Sequence, residues 1–231
     1  MTKYENLFFD LDDTLWAFTK NARNSFAEVY KLFDFDCYFD SFEQFFAIYT
    51  ERNLLLWVDY DNGRISKDEL NNERFSYPLL QVGVDDPELV KRYMAKFFEI
   101  IPTKTELMPY AREVLEYLKD KYNLYILSNG FRELQSRKLE SSGIDHYFKR
   151  IILSEDLWIN KPRLEIFYFA LSATQSEVHN SLMIGDSFKA DILGADRVGM
   201  DQVFYNHKGC VDMPFKPTYE ITSLRDLYSI L

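Results

Sequence analysis

Short apolar runs that end in polar residues predict buried parallel strands along much of the chain. The first run, 4–9, ends at Asp10, and a later run, 123–127, ends at Ser128. Further runs of this kind are 151–153, 181–184 and 203–205. Because helical patterns separate the later strands, right-handed crossovers are expected, and with them a Rossmann-like α/β fold: a doubly wound, mostly parallel sheet.

The predicted helices between these strands carry recognisable end signals. Pro109 is expected in the first turn of one helix, and Gly143 at the end of another that starts near 131. Ser223, followed by Asp226, has the pattern of a capping box for the last helix. Further helical patterns cover 163–174 and 190–198.

The segment 16–101 follows a different pattern, with apolar side chains at helical spacing and no strand of comparable strength. One such stripe is Phe26, Val29, Tyr30 and Phe33. Stripes of this kind predict a block of about four amphipathic helices. The sequence therefore predicts an α/β core made of 1–15 and 102–231, interrupted after its first strand by the helical insertion 16–101.

Composition limits the class of protein. The chain has 231 residues and a formal net charge of −10, which is enough chain for a sizeable core. Polymeric nucleic acid and anionic membranes select clustered Lys and Arg, so neither is an expected partner. Cys37 and Cys210 form no disulfide or zinc-binding pattern. Since no apolar run is long enough to span a bilayer, a cytoplasmic protein is expected.

Polar residues follow the predicted strands where parallel α/β sheets bind ligands, beyond the carboxyl ends of the strands. Asp10 and Asp12 follow the first strand, Ser128-Asn129 ends the next, and Asp186 follows the strand 181–184. Two carboxylates so close in sequence repel each other unless a cation or a shared proton compensates. Mg²⁺ accepts such oxygen ligands. Taken alone, each of these residues also fits an ordinary turn or cap.

The order of these motifs resembles the haloacid dehalogenase (HAD) superfamily. The chain carries Asp10-Leu11-Asp12-Asp13-Thr14, then Ser128, then Lys161-Pro162, then Gly185-Asp186 with Asp191, in that family's order. The helical block between the first two motifs resembles a C1-type cap. The resemblance implies phosphoryl transfer through a covalent aspartyl phosphate.

The resemblance also implies a role for each motif residue. Asp10 would be the nucleophile and Asp12 the general acid and base. Mg²⁺ would be held by the carboxylates of Asp10 and Asp186 and by the main-chain carbonyl of Asp12. The phosphate would be bound by Ser128, Asn129 and Lys161. Asp191 would orient Lys161 or metal-bound water.

Segments such as Leu56–Gly63 and Ser128–Phe131 resemble bacterial pyrimidine 5'-nucleotidases, which implies a nucleoside monophosphate as the substrate. Two alternatives stay open: another small phosphate ester, such as phosphoglycolate or a sugar phosphate, and a catalytically inactive HAD-fold binding module. The second aspartate and the Gly185-Asp186 pair favour a phosphatase over a dehalogenase, which needs neither a general acid nor a metal.

Twelve of the aromatic residues fall between Phe26 and Tyr60. Trp57 or Tyr60 is a candidate for stacking on a nucleobase, although most aromatic residues at helical spacing form a helical core. The three histidines, His146, His179 and His207, have no metal-ligand spacing and are expected at the surface or in packing.

Overall fold

The computed structural model describes residues 3–231, and the strands in this part of the chain form one parallel sheet. They are β1 (Asn6–Phe9), β2 (Asn123–Ser128), β3 (Arg150–Leu153), β4 (Ser181–Gly185), β5 (Asp201–Tyr205) and β6 (Tyr219–Ile221). Their order across the sheet is β3-β2-β1-β4-β5-β6. The first strand therefore lies in the middle of the sheet, between β2 and β4. The predicted α/β fold with a doubly wound parallel sheet is confirmed.

The central strands are apolar on both faces because both faces are covered. Every residue of β1 is buried, and Phe8 packs on Tyr125 of the neighbouring strand with ring centroids 5.0 Å apart. Phe167 and Ala170, which belong to a later helix, join Phe8 in one buried cluster. Burying a side chain such as Phe stabilises a fold by about 1.5–3 kcal/mol. An apolar strand such as β1 is therefore most stable in the middle of the sheet, where both of its faces are covered.

Between β1 and β2 the chain forms the α-helices α1 (Phe18–Leu32), α2 (Phe42–Asp61), α3 (Lys67–Gln81) and α4 (Pro87–Ile100). The chain divides into two compact units, one containing the residues up to Phe18 together with Thr105–Leu231, the other Thr19–Lys104. The predicted insertion, 16–101, and the second unit differ by three residues at each end.

The second unit has an aromatic core. Phe26 of α1 stacks on Phe97 of α4 with ring centroids 4.1 Å apart, and it contacts Tyr49 of α2 at 4.2 Å. Phe75 of α3 packs edge-on against Phe97 at 5.4 Å. The concentration of aromatic residues in this part of the sequence therefore supplies, first of all, the interior that holds four helices together.

The helices around the sheet are α5 (Ala111–Leu118), α6 (Arg132–Ser142), α7 (Leu164–Thr174) and α8 (Leu193–Arg197). Gly143 ends α6 with φ 61°, as predicted. The capping box of Ser223 and Asp226 is also confirmed, although the element it begins is the 3₁₀ helix Leu224–Ser229. No helix between residues 3 and 231 has the length and apolar character needed to cross a membrane.

Local structure departs from the predictions at three places. Pro109 is not in the first turn of α5, because Tyr110 adopts a left-handed conformation (φ 67°) and the helix begins only at Ala111. The helix predicted at 190–198 begins as the π-helical turn Phe188–Ile192 and continues as α8. The strand β6 was not predicted, because only one of its three residues is buried and a run so short carries no clear period.

Candidate active site

Three neighbouring strands end at one edge of the sheet and bring the predicted site residues together. Phe9 of β1 pairs with Ile126 of β2 on one side and with Ile184 of β4 on the other. The main-chain N–H of Asp10 still donates to the carbonyl of Ile184, at 2.9 Å. Asp10 is thus held by the sheet itself, which gives the carboxylate a fixed position beyond the strand ends.

The loop after β1 turns sharply because Asp13 adopts a left-handed conformation with φ 58°, which Asp tolerates better than most residues. Its N–H donates to the carbonyl of Trp16 at 2.7 Å, and the N–H of Trp16 donates to Leu11 at 2.9 Å. Asp12 and Trp16 also form a β-bridge. These bonds fix the main chain of the motif.

Lys161 lies between two buried carboxylates. Its Nζ donates to Oδ1 of Asp10 at 2.8 Å, to Oδ1 of Asp191 at 2.7 Å and to the carbonyl of Leu127 at 2.6 Å. Lys161 is 1% exposed and Asp191 is fully buried. Burial alone would lower the pKa of Lys161, but the two carboxylates raise it above its ordinary value. Lys161 therefore keeps its positive charge at this position.

For Asp10, burial is the main influence on the pKa. Burial raises the pKa of Asp10 well above its ordinary value; the charge of Lys161 opposes the rise, and neighbouring carboxylates, that of Asp191 first, add to it. A cation held against the carboxylate of Asp10 would offset this rise, because it favours the ionised form.

Asp191 uses both carboxylate oxygens within the protein. Oδ1 accepts from Lys161, and Oδ2 accepts from the main-chain N–H of Ser187 at 3.1 Å. Gly185 packs directly on this carboxylate, since a Cβ at that position would lie 2.2 Å from Oδ2 of Asp191. The side chain of Asp191 is therefore directed at Lys161. The orienting role of Asp191 stays a prediction.

Asp186 is linked to Asp10 through Thr14. The main-chain N–H of Asp186 donates to Oγ1 of Thr14 at 3.0 Å, and this hydroxyl donates to Oδ2 of Asp10 at 3.4 Å. Burial would raise the pKa of Asp186, but the neighbouring His207 and Lys208 outweigh it and lower the pKa. Nζ of Lys208 lies 2.7 Å from Oδ2 of Asp186.

The donor set fits a hard divalent cation. Carboxylate oxygens of Asp10, Asp186 and Asp191 lie within 4.8 Å of one another, and Mg²⁺ selects such oxygen ligands. Lysine ammonium groups contact each of the carboxylates at this edge of the sheet. The carboxylates are Asp10, Asp12, Asp13, Asp186 and Asp191, and the lysines are Lys138, Lys161 and Lys208.

Ser128 ends β2 with its hydroxyl at the same edge. Its Oγ accepts from the main-chain N–H of Gly130 at 3.1 Å and from Nε2 of Gln135 at 2.7 Å. A serine hydroxyl has two acceptor positions and one hydrogen, so these two bonds leave that hydrogen for a further acceptor. A phosphate contact from Ser128 stays a prediction.

Asn129 is placed against the main chain of Lys161. Its Oδ1 accepts from the N–H of Lys161 at 2.8 Å, and its Nδ2 donates to the carbonyl of the same residue at 3.1 Å. The amide therefore holds the segment that carries Lys161. A phosphate contact from Asn129 stays a prediction.

Two residues of α6 complete the surroundings of Asp12, and neither was predicted from the sequence. Nε2 of Gln135 donates to Oδ2 of Asp12 at 2.9 Å, and Nζ of Lys138 donates to Oδ1 at 2.7 Å. The signal in the sequence was their spacing of three, which places both on one face of a helix that follows Ser128 directly.

Lys208 and His207 were also not predicted as neighbours of the site, whereas Thr14 belongs to the motif that follows β1. His207 packs on the ring of Tyr205 with ring centroids 4.6 Å apart, and its Nε2 lies 3.8 Å from Oδ2 of Asp186. The loop after β5 brings His207 and Lys208 to this edge of the sheet, and the spacing of residues along the sequence does not reveal that placement.

Trp57 and Tyr60 lie together on α2, in the second unit, with their rings edge to face and centroids 5.5 Å apart. Both side chains are half-buried. Leu54, Leu55 and Val58 of the same helix are exposed. The proposed stacking of either ring on a substrate stays a prediction.

Comparisons with known proteins agree with this geometry. The haloacid dehalogenase-like hydrolase family matches residues 4–199. The HAD-hydrolase YfnB of Bacillus subtilis is 33% identical over 100% of this chain and 97% of its own. The pyrimidine 5'-nucleotidase YjjG of Escherichia coli is 31% identical over 99% of this chain and 98% of its own. PynA of Streptococcus pneumoniae, also a pyrimidine 5'-nucleotidase, is 32% identical over 99% of this chain and 95% of its own.

The crystal structure of YfnB bound to magnesium superposes on the chain with a TM-score of 0.88, covering 100% of this chain and 99% of that one at 31% identity. The family match spans the motifs from Asp10 to Asp191, and those residues converge at one edge of the sheet. The chain belongs to the haloacid dehalogenase-like hydrolase family.

Proposed function

We propose that this hydrolase is a magnesium-dependent phosphatase that removes phosphate from pyrimidine nucleoside 5'-monophosphates. The observation that carries the proposal is the position of the Asp10 carboxylate: it follows the central strand, contacts Lys161 at 2.8 Å and lies close to Asp186. Such a carboxylate has a fixed direction, a cationic neighbour and a second carboxylate close by. YjjG and PynA, which resemble the chain over nearly its whole length, support the choice of substrate.

In the first step, a carboxylate oxygen of Asp10 forms a bond to phosphorus while the bond from phosphorus to the ester oxygen breaks. Asp12 gives its proton to the departing oxygen, so that the nucleoside leaves as an alcohol. In the second step, Asp12 takes a proton from water, which attacks phosphorus and releases inorganic phosphate. The carboxylate of Asp10 and the proton of Asp12 are thereby restored.

Lys161 and Ser128 stabilise the charge that develops on the phosphoryl oxygens. Lys161 is positioned before the substrate arrives, because Asp191 and the carbonyl of Leu127 hold its ammonium group. Ser128 offers its hydroxyl hydrogen to a phosphoryl oxygen, and Asn129 adds a donor beside it. Preorganised donors of this kind stabilise a transition state without reorganisation during the reaction.

Mg²⁺ would be held by carboxylate oxygens of Asp10 and Asp186 and by the main-chain carbonyl of Asp12. When bound, it would reduce the repulsion between the anionic nucleophile and the anionic phosphate. In this proposal, the neighbouring carboxylates of Asp10 and Asp186 are the groups whose negative charge the divalent cation would balance.

The second unit, Thr19–Lys104, corresponds in this proposal to a C1-type cap that selects the leaving group. A nucleobase offers a flat face, and the ring of Trp57 or Tyr60 is the candidate surface for stacking on it. A sugar phosphate or phosphoglycolate would need the same phosphate site but no such surface.

A substrate panel tests the proposal. Initial rates with thymidylate, deoxyuridylate, purine nucleotides, phosphoglycolate and sugar phosphates are compared by kcat/KM in the presence of Mg²⁺. The Asp10→Asn variant, purified in the same way, is the control for a contaminating phosphatase. The proposal predicts the highest kcat/KM for a pyrimidine nucleotide. A preference for a sugar phosphate would contradict the assignment of a nucleotide substrate. If the protein hydrolysed none of the esters, including an aryl phosphate, the result would favour a binding module.

A further inference from the structure

Lys138 is a buried lysine that the proposed mechanism does not use. It lies in the middle of α6, is 3% exposed, and its Nζ donates to Oδ1 of Asp12 at 2.7 Å. The same ammonium group lies 4.7 Å from the ring centroid of Trp16 and 5.2 Å from that of Phe18. Burying an ammonium group is costly unless it is paired, so the contact with Asp12 is what keeps this lysine inside.

Gln135, one turn earlier on α6, holds the other oxygen. Its Nε2 donates to Oδ2 of Asp12 at 2.9 Å and to Oγ of Ser128 at 2.7 Å. One amide group thus joins the proposed acid and base to the proposed phosphate donor. Gly130 is part of this arrangement, because a Cβ there would lie 2.1 Å from Nε2 of Gln135.

The hydrogen bonds from Lys138 and Gln135 hold the carboxylate of Asp12 without occupying all of its acceptor positions. A carboxylate has about four acceptor positions, two on each oxygen, and each of these bonds takes one. The side chain of Asp12 keeps 27% of its surface exposed, so the remaining positions can exchange a proton with a bound substrate or with water.

We propose that Lys138 and Gln135 are positioning residues that hold the carboxylate of Asp12 in the orientation needed for proton transfer to the leaving oxygen. The inference rests on the proposed phosphatase function and on the role of Asp12 in it. Misplacement of a reacting group by about 1 Å costs about 10²-fold in rate. Loss of either contact therefore lowers the rate of the step in which Asp12 acts.

Substrates with different leaving groups distinguish a positioning role of Lys138 and Gln135 from a merely structural one. The alkoxide of thymidylate needs a proton as it departs, whereas p-nitrophenolate is weakly basic and departs without one. The parameter kcat/KM covers binding and the first displacement only, because loss of the leaving group makes that step irreversible. A defect in proton donation therefore lowers kcat/KM for thymidylate and leaves kcat/KM for p-nitrophenyl phosphate nearly unchanged.

The experiment compares Lys138→Met, Gln135→Met and Asp12→Asn on both substrates. Arg137→Met is the matched control, since Arg137 is exposed and lies next to Lys138 on α6. We expect Lys138→Met to lower kcat/KM for thymidylate by about 10- to 100-fold and that for p-nitrophenyl phosphate by less than about threefold. Gln135→Met also removes a contact with Ser128, so it should lower both values, that for thymidylate more strongly. Arg137→Met should match the wild type on both.

The outcomes distinguish the inference from the proposed function. Asp12→Asn must itself lower thymidylate hydrolysis selectively; if it does not, the role of Asp12 in the proposed function is wrong. If Asp12→Asn does so but Lys138→Met and Gln135→Met leave both substrates unchanged, or lower both equally, the positioning role is overturned. If Lys138→Met does not fold, as its circular dichroism spectrum will reveal, the ratio of the two losses in Gln135→Met decides.

Discussion

The Nζ atom of Lys161 lies 2.8 Å from Oδ1 of Asp10, and a second carboxylate, that of Asp191, holds it on the other side at 2.7 Å. All three groups are buried. Because a buried charge is tolerated only when it is paired, this chain of contacts contributes to folding as well as to the proposed chemistry. The two contributions can be separated by experiment.

Lys161→Met removes the cation and leaves two buried carboxylates without it. We expect kcat to fall by about 10²–10³-fold, as for the loss of one preorganised donor, and the free energy of unfolding to fall by about 3–5 kcal/mol. Steady-state kinetics and urea unfolding measure the two effects. Lys216→Met, at an exposed lysine, is the control. A stable and fully active Lys161→Met protein would contradict the assignment.

Gly185→Ala tests the position of Asp191 without altering any charge. The added Cβ would lie 2.2 Å from Oδ2 of Asp191, so the carboxylate must move and Lys161 loses its support. We expect kcat to fall by about 10- to 100-fold, measured with the best substrate of the panel. Asp191→Asn should show a loss in the same direction. If Gly185→Ala retained full kcat, the orienting role of Asp191 would be wrong.

Removal of divalent metal should abolish activity, and added Mg²⁺ should restore it. Asp186→Asn deletes one ligand charge, so we expect the Mg²⁺ concentration for half-maximal activity to rise by roughly tenfold or more. A thermal midpoint that rises with Mg²⁺ in the wild type, and less in Asp186→Asn, provides a readout other than activity. Full activity after exhaustive chelation would contradict the metal assignment.

The stacking prediction concerns Trp57. Loss of a base-stacking ring costs about 1–3 kcal/mol, so Trp57→Ala should raise KM for thymidylate by roughly 5- to 150-fold. Trp57→Phe keeps an aromatic face and should restore most of the affinity. KM for phosphoglycolate, which has no base, should not change in either variant. An unchanged KM for thymidylate in Trp57→Ala would remove Trp57 from the account and leave Tyr60 as the candidate.

The sequence predicted those parts of the structure that depend on position along the chain. Asp10, Ser128 and Asp186 each follow or end an apolar strand, and parallel strands bring such ends to one edge of the sheet. The order of the motifs identified the same residues independently. The fold and the convergence of these three residues were therefore predictable.

The residues that were missed reach the site through tertiary structure. Lys138 and Gln135 look like ordinary polar residues of a helix until the helix packs with that face toward Asp12. Lys208 and His207 lie on a loop whose path depends on β5 and its neighbours. The π-helical turn that carries Asp191 also departs from any regular helical period. Local periodicity contains none of this information.

The most direct test of the central claim, that the Asp10 carboxylate attacks phosphorus, is the stereochemistry of hydrolysis. A nucleoside 5'-phosphorothioate made chiral at phosphorus with oxygen isotopes is hydrolysed in isotopically labelled water, and the configuration of the released thiophosphate is determined. Two successive in-line displacements, the first by Asp10 and the second by water, predict overall retention of configuration. Inversion would show that water attacks phosphorus directly, and it would contradict the role proposed for Asp10.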